Sequence, residues 1–356
     1  MEERACPGCR LPTIFRWLIK WDSNGTIVLR PNPLIRVALV ESDLLDEVFN
    51  RIEKAVGIPI RHIAFEAERA AAEATIDTFV PVFAPWLVRN RFIMHPASRF
   101  LQLLARVAGM ADAQTLYYRA FHGSLAQVRN PFNRDYFAAM TVGAFESMEG
   151  VSHEHVWADM GGELFLFIHP VKEKPEISHR MAPHIIKALS GDRSLNLCQR
   201  CGFPKELWYL QWDIPLASIT DIRTGMRMTF VEGYAFSAVF RELVAELGDD
   251  IIPVIVNASY EYLQRNMQRT GFLESSTSRE ELYDSFLDEM AVYGHGNPTN
   301  KELHHRSLTV AIDNPYSVYL LAGQLLALYE AVEGHPGDVH WERPQEQNVV
   351  ISIDPA

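Results

Sequence analysis

The four cysteines of this chain occur as two closely spaced pairs that lie far apart in the sequence. Cys6 and Cys9 form the first Cys-x-x-Cys pair, and Cys198 and Cys201 form the second. Two thiolates three positions apart can lie on one tight turn and face the same metal ion, but one pair supplies only half of a tetrahedral site. The sequence therefore predicts a fold that brings the two pairs together around one ion.

The sequence around the two cysteine pairs repeats, and this repetition indicates an internal tandem duplication. A Trp-x-x-x-Trp-Asp motif follows each pair and places Trp17 and Trp21 opposite Trp208 and Trp212, 191 positions later. Further along, the chain from Asn130 onward matches the chain 184 positions later, through a shared glycine and a shared tryptophan. Because ordered matches of rare residues seldom arise by chance, we expect two homologous halves.

The duplication divides the chain into a first repeat over 1–170, a linker over 171–196 and a second repeat over 197–356. Alternating apolar runs predict strands, and longer amphipathic runs predict helices, in the same order in both repeats. The expected fold class is α+β, with each half an antiparallel sheet against packed helices. We expect a pseudo-twofold axis between the halves, since that arrangement lets the two cysteine pairs complete one site.

Local patterns predict several individual elements. Alternating aromatic residues over Ile14–Trp21 predict a strand with both tryptophans of the first motif on one face. The Asn-Gly step within Asp22–Gly25 predicts a hairpin turn, because such turns need positive φ angles. Ser42 is expected to cap a helix that ends near Val56, and a short helix is expected in the linker near 183–189.

The second repeat carries three features of a known domain family. These are an aromatic-glycine loop at 292–296, a strand that ends in Asn-Pro-Tyr at 309–316, and a helix with Gly323 that ends in a Glu-Gly turn at 333–334. Together they resemble the closing segment of the 4-vinyl reductase-like, hydrocarbon-binding domain family. The resemblance implies a module that encloses a small, mostly apolar ligand, often in a sensor. It implies no catalytic residue, because the family's cysteine cluster lies near its C-terminus, whereas these cysteines begin each half.

Zinc is the expected metal for a site made of Cys6, Cys9, Cys198 and Cys201. Four thiolates leave no open coordination position, so such a zinc would be structural and would fasten the two halves together. Rubredoxin-like iron uses the same ligands and remains an alternative. A redox-active dithiol or four metal-free thiols are further alternatives.

The paired tryptophans have two interpretations. Trp17, Trp21, Trp208 and Trp212 are expected in the core, because large aromatic side chains contribute much of the buried surface of a protein. The alternative is that they form the wall of a ligand pocket, to which Tyr293 of the aromatic-glycine loop would contribute.

Composition limits the classes of partner. The formal net charge of −12 argues against nucleic acid, because binding of phosphates requires a surplus of basic residues. The sequence contains no run of about 18 apolar residues, which a membrane span would need. It also lacks a basic start followed by an apolar stretch, which a secretory signal would need. We therefore expect a cytoplasmic protein, and the family resemblance implies a small apolar molecule as its partner.

Three functions are compatible with these observations. The first is a soluble protein that binds a small hydrophobic ligand, of the sensor type, with a structural four-cysteine zinc site shared between the halves. The second is an enzyme or a rubredoxin-like electron-transfer protein that uses the cysteine site. The third is a scaffold subunit of a larger complex. Gly-x-Gly-x-x-Gly, phosphate-loop and Gly-x-Ser-x-Gly motifs do not occur, and the sequence leaves open whether any reaction is catalysed.

Overall fold

A computed structural model of the protein describes residues 5–9, 11–78, 91–270 and 278–356. Within these ranges, nine α-helices and three antiparallel sheets give the α+β class that the sequence predicts. No helix in the described part of the chain is both long enough and apolar enough to cross a membrane. The helices are α1 (Phe15–Leu18), α2 (Leu44–Val56), α3 (Arg61–Asp77), α4 (Arg91–Val107), α5 (Arg134–Glu149), α6 (Gly233–Leu247), α7 (Ile251–Thr270), α8 (Arg279–Val292) and α9 (Val318–Glu333).

A central six-stranded sheet combines strands from the two predicted repeats, residues 1–170 (the first repeat) and 197–356 (the second repeat), in the order β1-β2-β3-β10-β9-β8. The middle strands β3 and β10 pair antiparallel, with Leu39 directly opposite Phe230. These two residues are 191 positions apart, which is the offset between the tryptophan motifs. Matched positions of the two predicted repeats therefore pair with each other at the centre of the sheet. The strands are β1 (Ile19–Trp21), β2 (Ile27–Leu29), β3 (Arg36–Glu41), β8 (Leu210–Asp213), β9 (Ser218–Asp221) and β10 (Arg227–Glu232).

Two four-stranded sheets flank the central one and have the same topology. In each, the fourth strand along the chain lies between the second and the third, giving the orders β4-β5-β7-β6 and β11-β12-β14-β13. The strands of the first are β4 (Asp112–Arg119), β5 (Gly123–Arg129), β6 (His153–Met160) and β7 (Glu163–Pro170). Those of the second are β11 (Asn297–His304), β12 (Ser307–Asp313), β13 (Gly337–Glu342) and β14 (Asn348–Pro355).

Each flanking sheet is accompanied by a close helix pair, α3 with α5 and α7 with α9. Gly143 of α5 lies directly over the backbone carbonyl of Arg69, and Gly323 of α9 lies over that of Val256. A side chain at either glycine would collide with the facing helix backbone. The glycine that the family resemblance places in this helix is therefore required by helix packing.

The two repeats exchange their leading elements. Helix α2 of the first repeat packs on α7 of the second, and α6 of the second packs on α3 of the first. The Trp21 indole N–H donates to the carbonyl of Val292 at 2.8 Å, and the Trp212 indole N–H donates to that of Val107 at 2.9 Å. Both acceptors are the last residue of a helix, where carbonyls lack intrahelical partners. The repeats are thus interlocked through matched contacts.

Two of these local predictions are wrong, and one is confirmed. The stretch Ile14–Trp21 is not one strand, because Phe15 and Leu18, three positions apart, are buried together by the short helix α1. Ser42 does not cap α2, whose N-cap is Asp43 without a side-chain hydrogen bond. The hairpin turn before β2 is confirmed, since β1 and β2 pair antiparallel around it.

The linker differs from its prediction as well. It contains a 3₁₀ helix at Glu176–Arg180, and residues 181–196 have no regular structure. Hydrogen bonds to other elements occupy the backbone there: the Leu189 N–H donates to the Asn314 side chain at 2.7 Å, and the Asn24 side chain donates to the Leu189 carbonyl at 2.7 Å. These contacts replace those that a helix would form.

Candidate metal centre and ligand cavity

The four cysteine sulfurs come together between the two repeats, and all of them lie within 4.8 Å of one another. The Cys6 and Cys198 sulfurs are 4.0 Å apart, and the Cys9 and Cys201 sulfurs are 3.2 Å apart. A tetrahedral ion with metal–sulfur bonds of about 2.3 Å holds its sulfurs about 3.8 Å apart. All four thiols are free rather than joined in disulfides. The separations therefore fit one ion among four thiolates.

Each cysteine pair lies on a turn that is closed in the same way. The Cys6 N–H donates to the Leu11 carbonyl at 2.8 Å, and the Cys198 N–H donates to the Phe203 carbonyl at 2.6 Å. Gly202 follows the second pair with φ of 77°, a value that glycine adopts without strain. The two turns match in sequence position and in hydrogen bonding, so each presents two sulfurs toward the other.

Backbone N–H groups in these turns point at the first sulfur of each pair. Hydrogen bonds from the N–H groups of Arg200 and Cys201 lower the pKa of Cys198 to about 6. Burial raises the pKa of Cys6, but the equivalent N–H groups of its turn, together with the Cys201 and Cys9 thiols, outweigh burial and lower the pKa overall. Burial raises the pKa of Cys9. A bound cation would favour the thiolate form of all four.

The cysteines belong to a core that both repeats build. Cys6, Cys198 and Cys201 are buried and Cys9 is half-buried. Aromatic rings surround them: the ring of Phe203 lies 5.7 Å from that of Phe15 and 4.6 Å from that of Trp21. A metal ion here would lie at the seam between the repeats, with three of its four ligand residues buried.

A cavity of about 220 Å³ lies beside this core, within the body of the first repeat. Helices α3, α4 and α5, the β4-β5-β7-β6 sheet and the central sheet form its walls, which are predominantly aliphatic and aromatic. Phe15 and Leu18 of α1 also line it, so the same short helix contacts both the cavity and the cysteine core. Its other large apolar lining residues include Leu101, Leu104, Met110, Phe137, Met140, Phe145, Met148, Leu166, Ile168 and Phe230.

None of the five aromatic residues considered for a ligand pocket lines this cavity. Trp17 and Trp208 are 73% and 68% exposed. Trp21 and Trp212 instead provide the cross-repeat hydrogen bonds described above, and Tyr293 is buried with its carbonyl accepting from the Leu39 N–H at 2.9 Å. Of the four tryptophans, Trp21 is therefore buried as expected, Trp212 is half-buried, and the other two are exposed.

The sequence signal for the cavity is a difference between the repeats. Strand β5 pairs Ser124 with Ile168, and β12 pairs Leu308 with Ile353, in the same register. At three matched positions the cavity is lined by a small residue, whereas the second repeat has a large, fully buried one. The matched pairs are Ser124 and Leu308, Ala126 and Val310, and Ala144 and Leu328.

A second cavity, of about 360 Å³, lies between the linker and the second repeat. Its lining is mixed, with Arg36, Arg241, Arg343 and Glu346 beside aromatic residues such as Trp341. It is built from different elements than the first cavity and is not its counterpart.

Comparisons with known proteins add little to this geometry. No family model matches the chain, and no curated protein matches it. Among solved structures, one match is the phenol-responsive sensory domain of the transcription activator PoxR with phenol. The two are 12% identical with a TM-score of 0.34, and the match covers 41% of this chain and 85% of that one. The likeness is thus confined to less than half of this chain.

Proposed function

We propose that this protein binds a small, largely apolar molecule in the cavity of the first repeat. The observation that carries the proposal is the 220 Å³ space with its predominantly apolar walls. Apolar cavities stay dry, and one of about 150 Å³ is enough to bind benzene. This cavity would accordingly admit a molecule somewhat larger than benzene.

We further propose that the four cysteines hold one structural zinc ion. The sulfur separations, the burial and the N–H groups directed at the sulfurs support this proposal. Four protein thiolates leave no position for a substrate, so the ion would fasten the repeats rather than catalyse a reaction. Iron in the same ligand set is the alternative.

A sensor-type role follows from the position of α1. Phe15 and Leu18 line the cavity, and the Phe15 ring also contacts Phe203, two positions after Cys201. A ligand that displaces these side chains would alter the packing around the metal centre. Occupancy of the cavity is thus coupled to the seam that joins the two repeats.

Metal analysis together with an absorption spectrum tests the metal proposal. One zinc per chain and a colourless sample would support it. One iron per chain with visible charge-transfer bands would instead favour an electron-transfer function. Four titratable thiols and no metal would contradict both.

Ligand binding is tested by calorimetric titration of the full chain with small hydrocarbons such as indane. We expect saturable binding to one site, and Ala144→Leu, which adds a larger side chain to the cavity wall, should weaken it. Its matched control is Tyr319→Phe, which lies at the second cavity. Equal affinity in the wild type and the Ala144→Leu variant would place the site elsewhere.

A further inference from the structure

One acidic side chain interrupts the apolar wall of the first cavity. Glu232 is the only acidic or basic residue among the described residues that line it. It ends β10, and its carboxyl lies beside that of Glu68, a fully buried residue of α3. Two carboxyl groups from strand and helix therefore meet at one end of an otherwise apolar space.

The hydrogen bonding of this carboxyl pair is incomplete within the described part of the chain. Among the described residues, no donor meets ordinary hydrogen-bond geometry at Oε2 of Glu232 or at either oxygen of Glu68. Hydrogen-bonding contacts from the Glu68 carboxyl and the Thr75 hydroxyl lower the pKa of Glu232, but a carboxylate can accept about four hydrogen bonds. Glu232 is left with acceptor capacity that the protein does not fill.

The electrostatics of the pair agree with this geometry. Burial, followed by the charge of Glu232, raises the pKa of Glu68, against a smaller opposing effect of the Tyr136 hydroxyl. Burial also raises the pKa of Glu232. No basic side chain of the described residues contributes to either pKa. Buried polar groups in native proteins are normally satisfied, so an unfilled acceptor on a cavity wall points to a ligand.

The matched position in the other repeat shows the contrast. Glu41 corresponds to Glu232 at the end of the partner strand β3, and the Asn266 side chain donates to its Oε2 at 3.1 Å. Oε2 of Glu41 therefore has an internal donor of ordinary geometry, whereas Oε2 of Glu232 has none among the described residues. The difference falls on the acid that borders the cavity.

We propose that Glu232, supported by Glu68, accepts a hydrogen bond from a hydroxyl or ammonium group on the bound molecule. The ligand class is thus a compact apolar body, somewhat larger than benzene, with one hydrogen-bond donor at its end. This inference rests on the proposed function of the cavity and specifies its ligand. A hydrogen bond to a charged acceptor in a buried site changes affinity roughly tenfold to hundredfold.

Calorimetric titration of the full chain with indane, 2-indanol and 2-aminoindane tests the proposal, since the three share one ring system. We expect 2-indanol or 2-aminoindane to bind at least roughly tenfold more tightly than indane. Glu232→Met should remove this preference and leave indane affinity within about twofold. Glu232→Gln keeps an acceptor without charge, so it should abolish a preference for the amine while retaining one for the alcohol.

The control variant is Glu41→Gln, which should keep the wild-type preference. Equal affinity of the wild-type protein for all three compounds would overturn the inference while leaving the cavity function intact. A preference that survives Glu232→Met would overturn it too. If none of the three binds, the proposed cavity function fails, and this inference fails with it. The wild-type comparison requires no variant to fold.

Discussion

The first repeat encloses a cavity beside its sheet, whereas the second repeat packs large side chains at the matched positions. Strands β5 and β12 have the same neighbours and register, yet Ser124 and Ala126 on one correspond to Leu308 and Val310 on the other. The latter two are fully buried in the core. The backbone architecture is therefore shared, and a few side-chain volumes decide which half can hold a ligand.

The seam between the repeats shows the opposite behaviour. Matched tryptophans make matched hydrogen bonds, and matched turns contribute two sulfurs each. A site that needs equal contributions from both repeats keeps them alike, because a change on either side would break it. The first repeat supplies most of the cavity wall and the second supplies only part of β10, so the second repeat is free to gain stability by filling its own corresponding space.

The largest expected effect concerns the seam. Replacing either Cys6 or Cys198 by serine should abolish metal binding and lower the free energy of unfolding by roughly 5 kcal/mol or more, to the same extent. The equality follows because both sulfurs occupy equivalent places in one site. Denaturant unfolding and metal analysis measure the two effects. A chelator should destabilise the wild-type protein but neither variant. Clearly unequal losses of stability in the two variants would show that Cys6 and Cys198 do not occupy equivalent places in the site.

A reciprocal exchange tests the contrast between the bodies of the repeats. Leu328→Ala removes a fully buried side chain from the second repeat and should cost about 2–5 kcal/mol of stability. Ala144→Leu places the same side chain on the cavity wall, so it should leave stability within about 1 kcal/mol while weakening ligand binding at least tenfold. Thermal unfolding compares the two. A similar destabilisation by both variants would mean that the first repeat has no space to fill.

An acid-sensitive group distinguishes the repeats as well. His295 of the second repeat corresponds to Met110 of the first, and its Nε2 lies 2.8 Å from the Leu39 carbonyl. Burial lowers the pKa of His295 from 6.5 to about 4. The unfolded chain therefore binds a proton between these values that the folded protein does not, so stability falls as the pH drops, by about 2 kcal/mol at pH 5. Above pH 7 the group contributes no pH dependence.

Replacing this histidine by the residue of the other repeat, His295→Met, should flatten the decline of stability between pH 6.5 and 4. Urea unfolding at several pH values measures the slope. His304→Met removes an exposed histidine and should leave the slope unchanged. An unaltered slope in His295→Met would assign the acid sensitivity to other groups.

Local and repeated signals account for what the sequence could predict. The Cys-x-x-Cys pairs and the order of helices and strands depend on short patterns that appear twice, so one repeat supports the other, whereas the hairpin turn at Asp22–Gly25 depends on its own Asn-Gly step. The strand predicted over Ile14–Trp21 is wrong because Phe15 and Leu18, three positions apart, are buried together on a helical turn. The linker helix failed because hydrogen bonds from Asn24 and Asn314, distant in sequence, occupy its backbone.

The candidate ligand site could not be predicted from local sequence patterns. The small residues of β5 have meaning only when register sets them against β12, and Glu68 meets Glu232 only after α3 of one repeat packs near β10 of the other. No local pattern marks either event. Comparison of the repeats, position by position, was the one sequence signal available, since it shows where volume or hydrogen bonding differs between otherwise equal halves.

The smallest expected effect tests how equal the seam is in detail. Trp21→Phe and Trp212→Phe each keep an aromatic ring but remove the indole N–H that binds the last carbonyl of a helix. Each should cost about 1 kcal/mol through the lost hydrogen bond, measured by urea unfolding. Trp21 is more buried than Trp212, so any excess loss should fall on Trp21. Trp17→Phe, at an exposed position of the same motif, should change stability little. If Trp212→Phe cost nothing while Trp21→Phe cost several times the expected amount, the two matched hydrogen bonds would contribute unequally to stability. The seam would then be symmetric in the positions of its contacts but not in their energies.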